Sequence, residues 1–415
     1  MKDALSPALN VLRRIEGAGY EAVLVGGIVR DLLSGNPPED VDIASAAPFS
    51  ALGSIFPEGK VMGPRGMEVF ILPVEGGHCE IFSYAGSSLK RDLARRDFTV
   101  NALALRISGE LEGSGQAVRD VSARILRFNG SGRARLQEDP LRALRLARFA
   151  SILPGFVPDP ASLALCRAFS PDLGRCSPER VGREIRLGLE GMPHVFLSCM
   201  REEGLLPFLL QGTAPGKRDF LRLCTVEQTM AMRGGGLSLR ASALFSGGKD
   251  APSPDEEGAE RALEWACALK WPLSLAVRIS RLVRLRGIPS SESSREVLAA
   301  ILLHEGEEFL NDLFLLGESL ARNGKQAHRL QKNRAAFTAM RIRNKNRDVL
   351  PSGDALMAHF GLPGGPLVGE ILRRLRMELL VGDIQTGEEC FPRAWSLLEN
   401  GFFQKEGNPD PGKIS

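Results

Sequence analysis

The pattern that most limits the fold is a change of period near residue 140. Before it, short β-like runs alternate with turns and helical stretches: Ala22–Val25, Val41–Ala44, Val69–Val74, Cys79–Tyr84 and Ala102–Ile107. These predict an α/β region over residues 1–130. From about Pro140 the β signals fade and amphipathic helical spacing takes over, as in Pro178–Leu189 and Arg261–Leu269. The C-terminal two thirds therefore reads as all-helical. A chain of 415 residues exceeds one ordinary core, so about two to four domains or sub-domains are expected.

Composition excludes several classes. Hydrophobic content of 43% and charged content of 25% are those of a soluble protein. There is no run of about 18 apolar residues, so no membrane span is expected. The opening MKDALSPALNVLRRIEGAGY lacks the three-part layout of a signal peptide. A cytoplasmic location follows as the expectation. The seven cysteines are scattered without a CxxC pair and read as reduced structural thiols. Five dispersed histidines suggest no zinc site. A net charge of +3 neither requires nor excludes nucleic acid, so the distribution of charge has to decide. Gly247–Gly258 reads as a surface loop or linker, and the tail from Lys405 as disordered.

Ala22–Val25 runs into Gly26-Gly27-Ile28-Val29-Arg30-Asp31, a strand, a glycine turn and a helix start. Such a turn lets backbone approach a phosphate, and the new helix offers unpaired N–H groups to it. Arg30 adds a charged fork. A tight turn alone is the commoner reason for Gly-Gly. About ten residues on comes Glu39-Asp40-Val41-Asp42-Ile43-Ala44. Side chains at i and i+2 of a strand share a face, so Asp40 and Asp42 are expected to project together and repel. A divalent cation removes that repulsion, and magnesium favours carboxylates plus substrate phosphates. A solvated strand end is the plainer alternative. Glu80, in His78-Cys79-Glu80-Ile81-Phe82, is a candidate third carboxylate or an exposed edge residue.

Arg95 to Asn101 (RRDFTVN) packs basic, acidic and amide groups ahead of an apolar stretch. Arg96 suits a triphosphate, while Asp97 and Asn101 suit a ribose or, more ordinarily, a helix cap. In Glu138-Asp139-Pro140-Leu141-Arg142-Ala143-Leu144-Arg145-Leu146-Ala147-Arg148, Asp139-Pro140 reads as a cap and first helical position. Arg142, Arg145 and Arg148 then form one stripe on a helix expected to be largely buried. Buried arginines need anions. The helix has no acids after Asp139, so a nucleotide is the expected partner and an internal salt-bridge network the alternative.

Together GGIVRDLL, EDVDIA, RRDFTVNALAL, EDPLRALRLARFA and SPER with Glu184 resemble the class II tRNA nucleotidyltransferase and bacterial poly(A) polymerase family, of the polymerase-beta-like superfamily. Residues 352–366, with SGDALM and GLPGGP, carry a weaker likeness. The resemblance implies an α+β fold. A nucleotidyltransferase head with a small mixed sheet spans 1–130, a helical neck 131–205, a helical body 206–330 and a tRNA-binding helical tail 331–404. It implies that Asp40 and Asp42 hold Mg2+, that Gly27, Arg30 and Arg96 contact the triphosphate and sugar, and that Asp139 and Arg142 read the base over a support of Arg145 and Arg148. The implied reaction is attack of a tRNA 3′-hydroxyl on the α-phosphate of CTP or ATP, adding CCA.

The base-reading role has its own physical reason. Cytosine and adenine each present an amino donor beside a ring-nitrogen acceptor; uracil and guanine present the reverse. An acceptor at Asp139 beside a donor at Arg142 matches the first pair and leaves buried groups unpaired with the second. One departure bears on nucleotide choice. Ser83-Tyr84-Ala85 replaces an arginine that often follows the third-carboxylate strand, and the loop Gly86–Leu93 is expected to be mobile. In this family such a loop helps switch between C and A. Another departure is Gly115–Val121, which keeps Asp120 but lacks the family's Gly-Gly.

Basic residues from Arg329 to Arg347, with Arg341, Arg343, Lys345 and Arg347 as candidates, have no acid among them. That face suits the backbone of a tRNA acceptor and T arm, a solvated helix face being the alternative. Arg373, Arg374 and Arg376 extend it, and sparse aromatics favour shape recognition over stacking. Competing readings are a specialist adding only CC or only A, a poly(A) polymerase, and an inactive RNA-binding protein of the same fold.

Overall fold

The computed structural model describes residues 2–38, 40–64, 68–209, 220, 223–227, 233–246, 255–292, 295–321 and 323–399. Glu39, Arg65-Gly66, the greater part of the expected linker (247–254), the Arg347 side chain and the tail from Lys405 lie outside the described residues. The chain divides into two compact units, residues 1–214 and 215–415.

In the first unit, helix α1 (Lys2–Gly17) precedes β1 (Ala22–Val25), α2 (Gly27–Ser34), β2 (Val41–Ser45) and α3 (Phe49–Ile55). Then come β3 (Lys60–Met62), β4 (Val69–Val74), β5 (Gly77–Ser83), α4 (Leu89–Arg95), β6 (Leu103–Leu105) and β7 (Leu111–Gly113). The sheet order is β3-β4-β5-β2-β1-β6-β7, with β2 and β5 parallel and the other neighbours antiparallel. It is the expected mixed sheet. All four residues of β1 are buried at its centre; a continuous apolar run is what a strand covered on both faces requires. The edge strands β3 and β7 were not foreseen, and β6 is shorter than the expected Ala102–Ile107. Three-residue segments such as Leu111–Gly113 are too short to display a period.

Two local expectations are corrected. Asp40 stands just before β2, not within it. Most of the Gly86–Leu93 segment, expected as a mobile loop, belongs to α4. Ser88 Oγ caps that helix by accepting the Arg91 N–H at 3.3 Å. Leu89 and Leu93 are buried with Val23, Val25 and Ala44 on the face of the sheet. Burial of two leucines and a satisfied cap outweigh the turn-forming glycine and serines before them.

Helices then dominate: α5 (Gly115–Ala123), α6 (Gly132–Glu138), α7 (Leu141–Ile152), α8 (Pro160–Phe169), α9 (Pro178–Glu190), α10 (Pro193–Glu202) and α11 (Leu206–Leu209). The exception is a two-residue parallel pair, β8 (Ile125–Leu126) with β9 (Val157–Pro158). Helix α7 buries Leu141, Leu144, Ala147 and Phe149 among others and packs against α9 and α10.

The described elements of the second unit are all helical, as expected: α12 (Leu237–Leu244), α13 (Glu256–Ala268), α14 (Leu273–Leu285), α15 (Arg295–Leu320), α16 (Gly324–Lys345), α17 (Gly353–Phe360), α18 (Pro366–Val381) and α19 (Cys390–Glu399). Asp255 caps α13, so the end of the expected linker, Glu256–Gly258, is helical. Gly306 (φ 88°, ψ 173°) breaks α15 into two segments. The core of this unit joins Leu298, Leu302, Phe309, Leu313 and Phe314 of α15 to Leu330, Phe337 and Met340 of α16.

Candidate active site

A cavity of about 770 Å³ opens in the first unit between the start of α2, the start of β2, the turn after α4, and α7. Gly27, Arg30, Asp40, Asp42, Arg96, Asp139, Arg142, Arg145 and Arg148 all line it. Every candidate of the head and neck except Glu80 is therefore brought to one place.

Gly26 has φ 75°, and a Cβ there would lie 2.8 Å from Nη1 of Arg96. Both its backbone and its neighbour demand glycine. Arg30 is buried. Its Nε and Nη2 fork the Asp31 carboxylate at 2.9 Å, and Nη1 donates to Asn101 Oδ1 at 2.9 Å. The sequence pointed to a free fork for phosphate; in the fold that fork is engaged by the protein and ties α2 to the RRDFTVN segment. Arg96 is clamped by Asp92, whose Oδ2 accepts from its Nε and Nη2 at 3.2 Å, and its Nη1 reaches the Asn101 carbonyl at 3.3 Å. Asp92 was missed from sequence, although Asp92 and Arg96 at i and i+4 were a readable signal.

Asp42 lies opposite Glu80 in the parallel register of β2 and β5. Burial, then the charges of Glu80 and Asp40, push its carboxyl up to about 6 against the pull of Arg96 and Arg30. Carboxylates that oppose one another's ionisation are what a divalent cation relieves. Among the described residues no three His, Cys, Asp or Glu side chains could hold a metal by themselves. An ion at Asp40 and Asp42 would thus complete its shell from substrate oxygens, which is the habit of magnesium. Glu80 neighbours Asp42 by register, yet its own carboxylate stands 3.8 Å from His78 Nε2, and it flanks the cavity instead of lining it.

The arginine stripe is paired inside the protein. Arg145 donates to Asp97 Oδ2 at 2.9 and 2.5 Å and lies 3.6 Å from Glu184. Arg148 meets Glu184 at 2.6 Å, and Arg142 meets Glu138 at 2.7 Å. The expectation that a nucleotide is the better partner is corrected to this extent: α7 lacks acids of its own, but α6, α9 and the Arg95–Asn101 segment supply them. Asp97 also caps its segment, accepting from the Phe98 N–H at 2.8 Å and from Asn101 Nδ2 at 3.2 Å. Burial opposes its charge, but Arg145 and these donors outweigh it and hold the carboxyl below the ordinary range. Asp139 accepts the Leu141 N–H at 3.2 Å, as a cap does, and its other oxygen pairs with Arg180 of α9 at 2.6 Å. Pro140, not Asp139, holds the N-cap position of α7.

Residues 22–80 and 67–127 match the family described as the poly A polymerase head domain. The CC-adding tRNA nucleotidyltransferase of Shouchella clausii is 37% identical over 217 residues, 52% of this chain and 57% of that relative. The CC-adding tRNA nucleotidyltransferase of Halalkalibacterium halodurans is 26% identical over 391 residues, covering 93% and 96%. The CCA-adding enzyme of Bacillus stearothermophilus, solved in complex with CTP, superposes with a TM-score of 0.72 at 25% identity, covering 96% of this chain and 100% of that one. Residues 22–127 thus match the poly A polymerase head domain family, and over most of its length the chain is similar to CC- and CCA-adding tRNA nucleotidyltransferases.

The second unit carries the expected basic helix, α16, but not as a free basic face. Arg329 pairs with Glu292, Arg334 lies 3.8 Å from Glu318, and Arg341 meets Glu307 at 2.5 Å. Arg343 donates from Nη1 to the carbonyls of Leu380 and Val381 at 3.0 and 3.1 Å, closing the end of α18. Lys345 is exposed. As on α7, the acids that α16 lacks arrive from other parts of the chain.

Proposed function

We propose that this chain adds C and A nucleotides to the 3′ end of tRNA without a template, using CTP and ATP and releasing pyrophosphate. The observation that carries the reading is the single cavity in which Asp40 and Asp42, beside the Gly26-Gly27 turn, face Asp139 and Arg142. Its volume falls in the range of about 300–1,000 Å³ typical of small-molecule sites. Asp40 and Asp42 hold magnesium, which when bound neutralises phosphate charge and lowers the barrier to attack at phosphorus. The 3′-oxygen of tRNA forms a bond to the α-phosphorus as the bond to the β-phosphate bridging oxygen breaks.

The protein's own part is to position and select. Arg96, held by Asp92, and the backbone at Gly27 receive the triphosphate, with Arg30 fixing the turn. Asp139 and Arg142 read the base. Their present partners, Arg180 and Glu138, are partly exposed, so C or A exchanges one set of polar contacts for another, while U or G leaves both groups facing their like. Arg145 and Arg148 hold that pocket through Asp97 and Glu184. Within the two compact units, residues 1–130 act as head, 131–205 as neck, 206–330 as body and 331–404 as tail, with tRNA held by its acceptor and T arm. No helix among the described residues is long and apolar enough to cross a membrane, which accords with work in the cytoplasm.

A second reading, addition of C alone, is favoured by α4. The stretch expected to move in switching from C to A is capped and packed by Leu89 and Leu93. One experiment separates the readings: purified protein with magnesium is offered tRNA transcripts ending before CCA, after C and after CC, with CTP, ATP or both. Completed CCA supports the main reading. Addition that stops at CC replaces it with the second, and long A tails replace it with poly(A) synthesis. Asp42→Ala is expected to lose at least about 1,000-fold in rate with tRNA binding retained. Undiminished transfer by that variant would remove Asp42 from the metal site.

A further inference from the structure

Arg135 is bonded at both ends to the pair proposed to read the base. Its backbone carbonyl accepts the Asp139 N–H at 3.1 Å and Nη1 of Arg142 at 2.8 Å. Its own Nη1 donates to Glu138 Oε2 at 2.9 Å, the same oxygen that Arg142 reaches at 2.7 Å. That Nη1 also donates to the carbonyl of Arg95 at 3.3 Å. The Arg95 carbonyl and the Arg96 nitrogen share one peptide plane, so the contact fixes the main chain where Arg96 begins. Asn129 secures the two carbonyls before it, its Nδ2 donating to Leu93 at 2.8 Å and to Ala94 at 3.3 Å. The carbonyls at the end of α4 thus find donors on and just before α6.

Stability alone is a poor account of this side chain. Its Nε is buried without a hydrogen-bond partner among the described residues, and a buried donor left unpaired opposes folding. Nor does Arg135 line the cavity, so it does not meet a nucleotide there directly. What it does is join two walls. On one side is Arg142, held through Glu138. On the other is the segment of Arg96, whose guanidinium is clamped by Asp92. A base is selected only if the groups that read it stand at a set distance from those that hold the triphosphate, since one nucleotide must satisfy both at once. We infer that Arg135 is a specificity-determining positioning residue, the link that keeps Asp139 and Arg142 in register with Arg96. The inference deepens the proposed function and rests on its base-reading roles for Asp139 and Arg142.

The test uses the full chain with magnesium. Equilibrium binding of CTP and of UTP is measured without tRNA, and incorporation of C is followed on a transcript lacking CCA. Arg135→Gln should weaken CTP binding about 10-fold, the scale of one lost charge-assisted bond, and leave UTP binding as it is. KM for CTP should rise alike while KM for tRNA holds. Arg135→Lys again offers one nitrogen to both acceptors and should restore most of the preference. Arg133→Gln removes another arginine of α6, whose guanidinium lies 5.6 Å from the centre of the Phe169 ring, and should leave the preference unchanged. Because Arg135 acts in part through Glu138, Arg135→Gln joined to Glu138→Gln should cost less preference than the sum of the single losses. An unchanged preference in Arg135→Gln overturns the inference. So do additive losses in the double variant, or equal losses for CTP and UTP, which mark a collapsed pocket. If the native chain prefers CTP yet adds nothing to tRNA, the proposed activity falls, and loss of that preference in Arg135→Gln upholds the inference. If the native chain adds C and Arg135→Gln keeps its preference, the inference falls while the activity stands.

Discussion

On α7 the arginines at 142, 145 and 148 answer to Glu138, Asp97 and Glu184, whereas on α16 those at 329, 334 and 341 answer to Glu292, Glu318 and Glu307. Neither stripe carries acids of its own, so each borrows them from other elements. They differ in depth. Glu184 is 5% exposed and Asp97 9%, whereas the side chain of Glu292 is 79% exposed and that of Glu307 41%. A charge pair removed from water is costly to break, because one partner is left buried alone. A wet pair exchanges its partner for water at little cost. The buried pairs of Arg145 and Arg148 can therefore hold a pocket in fixed geometry, while the α16 pairs, like that of Arg142 with the half-exposed Glu138, can be traded for a different partner. What looks in sequence like the same feature serves preorganisation at Arg145 and Arg148 and an adjustable surface along α16.

The largest test of that contrast is Glu184→Gln, which keeps the shape of the side chain and removes its charge. Arg148 then loses its carboxylate contact and Arg145 keeps Asp97, and the variant should lose about 3–5 kcal/mol, read from the thermal unfolding of the first unit. A loss under about 1 kcal/mol would put these pairs in the same class as surface pairs and end the comparison. Asp97→Asn should cost less, about 1.5–3 kcal/mol, since the amide oxygen can still accept from Phe98 while the charge-assisted bonds from Arg145 are lost. The same variant sharpens the functional side. With Arg145 loosened, discrimination between CTP and UTP should fall together with stability; unchanged discrimination would limit Asp97 to a structural role.

What could be read from sequence divides along the same line, between local and distant partners. The strand, turn and helix of Ala22–Leu33 and the carboxylates at 40 and 42 are legible because period and turn chemistry act over a few residues. The cap at Asp139 is legible for the same reason, to within one position. Asp97 lies 48 residues from Arg145, and nothing in either neighbourhood announces the other. The inference that α7 needs an anion was sound, but its source could only be found in three dimensions. Arg343 shows the same limit more sharply, since its partners are two backbone carbonyls that belong to another helix and have no sequence signature at all. Helix α4 is a different kind of miss. Its signals, a serine cap and Asp92 facing Arg96, were present but outweighed by the Gly86-Ser87-Ser88 turn residues ahead of them.

The smallest expected effect is the most telling for α16. Glu307→Gln removes the partner of Arg341, and at this exposure the loss in stability should be at most about 1 kcal/mol. Its consequence for RNA should have the opposite sign. Arg341 freed of its carboxylate becomes a cation that phosphate can recruit, so affinity for tRNA should rise slightly and the salt slope steepen by up to about one. At Glu184 no such variant is expected to gain function, because that carboxylate is buried and the arginines it holds, Arg145 and Arg148, are needed in place to shape the cavity they line. Tighter binding by Glu307→Gln with nearly native stability, set beside unfolding and no gain in Glu184→Gln, would establish that depth of burial decides whether an arginine stripe acts as scaffold or as contact. A Glu307→Gln variant as unstable as Glu184→Gln would mean that α16 is held together by its ion pairs, and that its acids are not available for exchange.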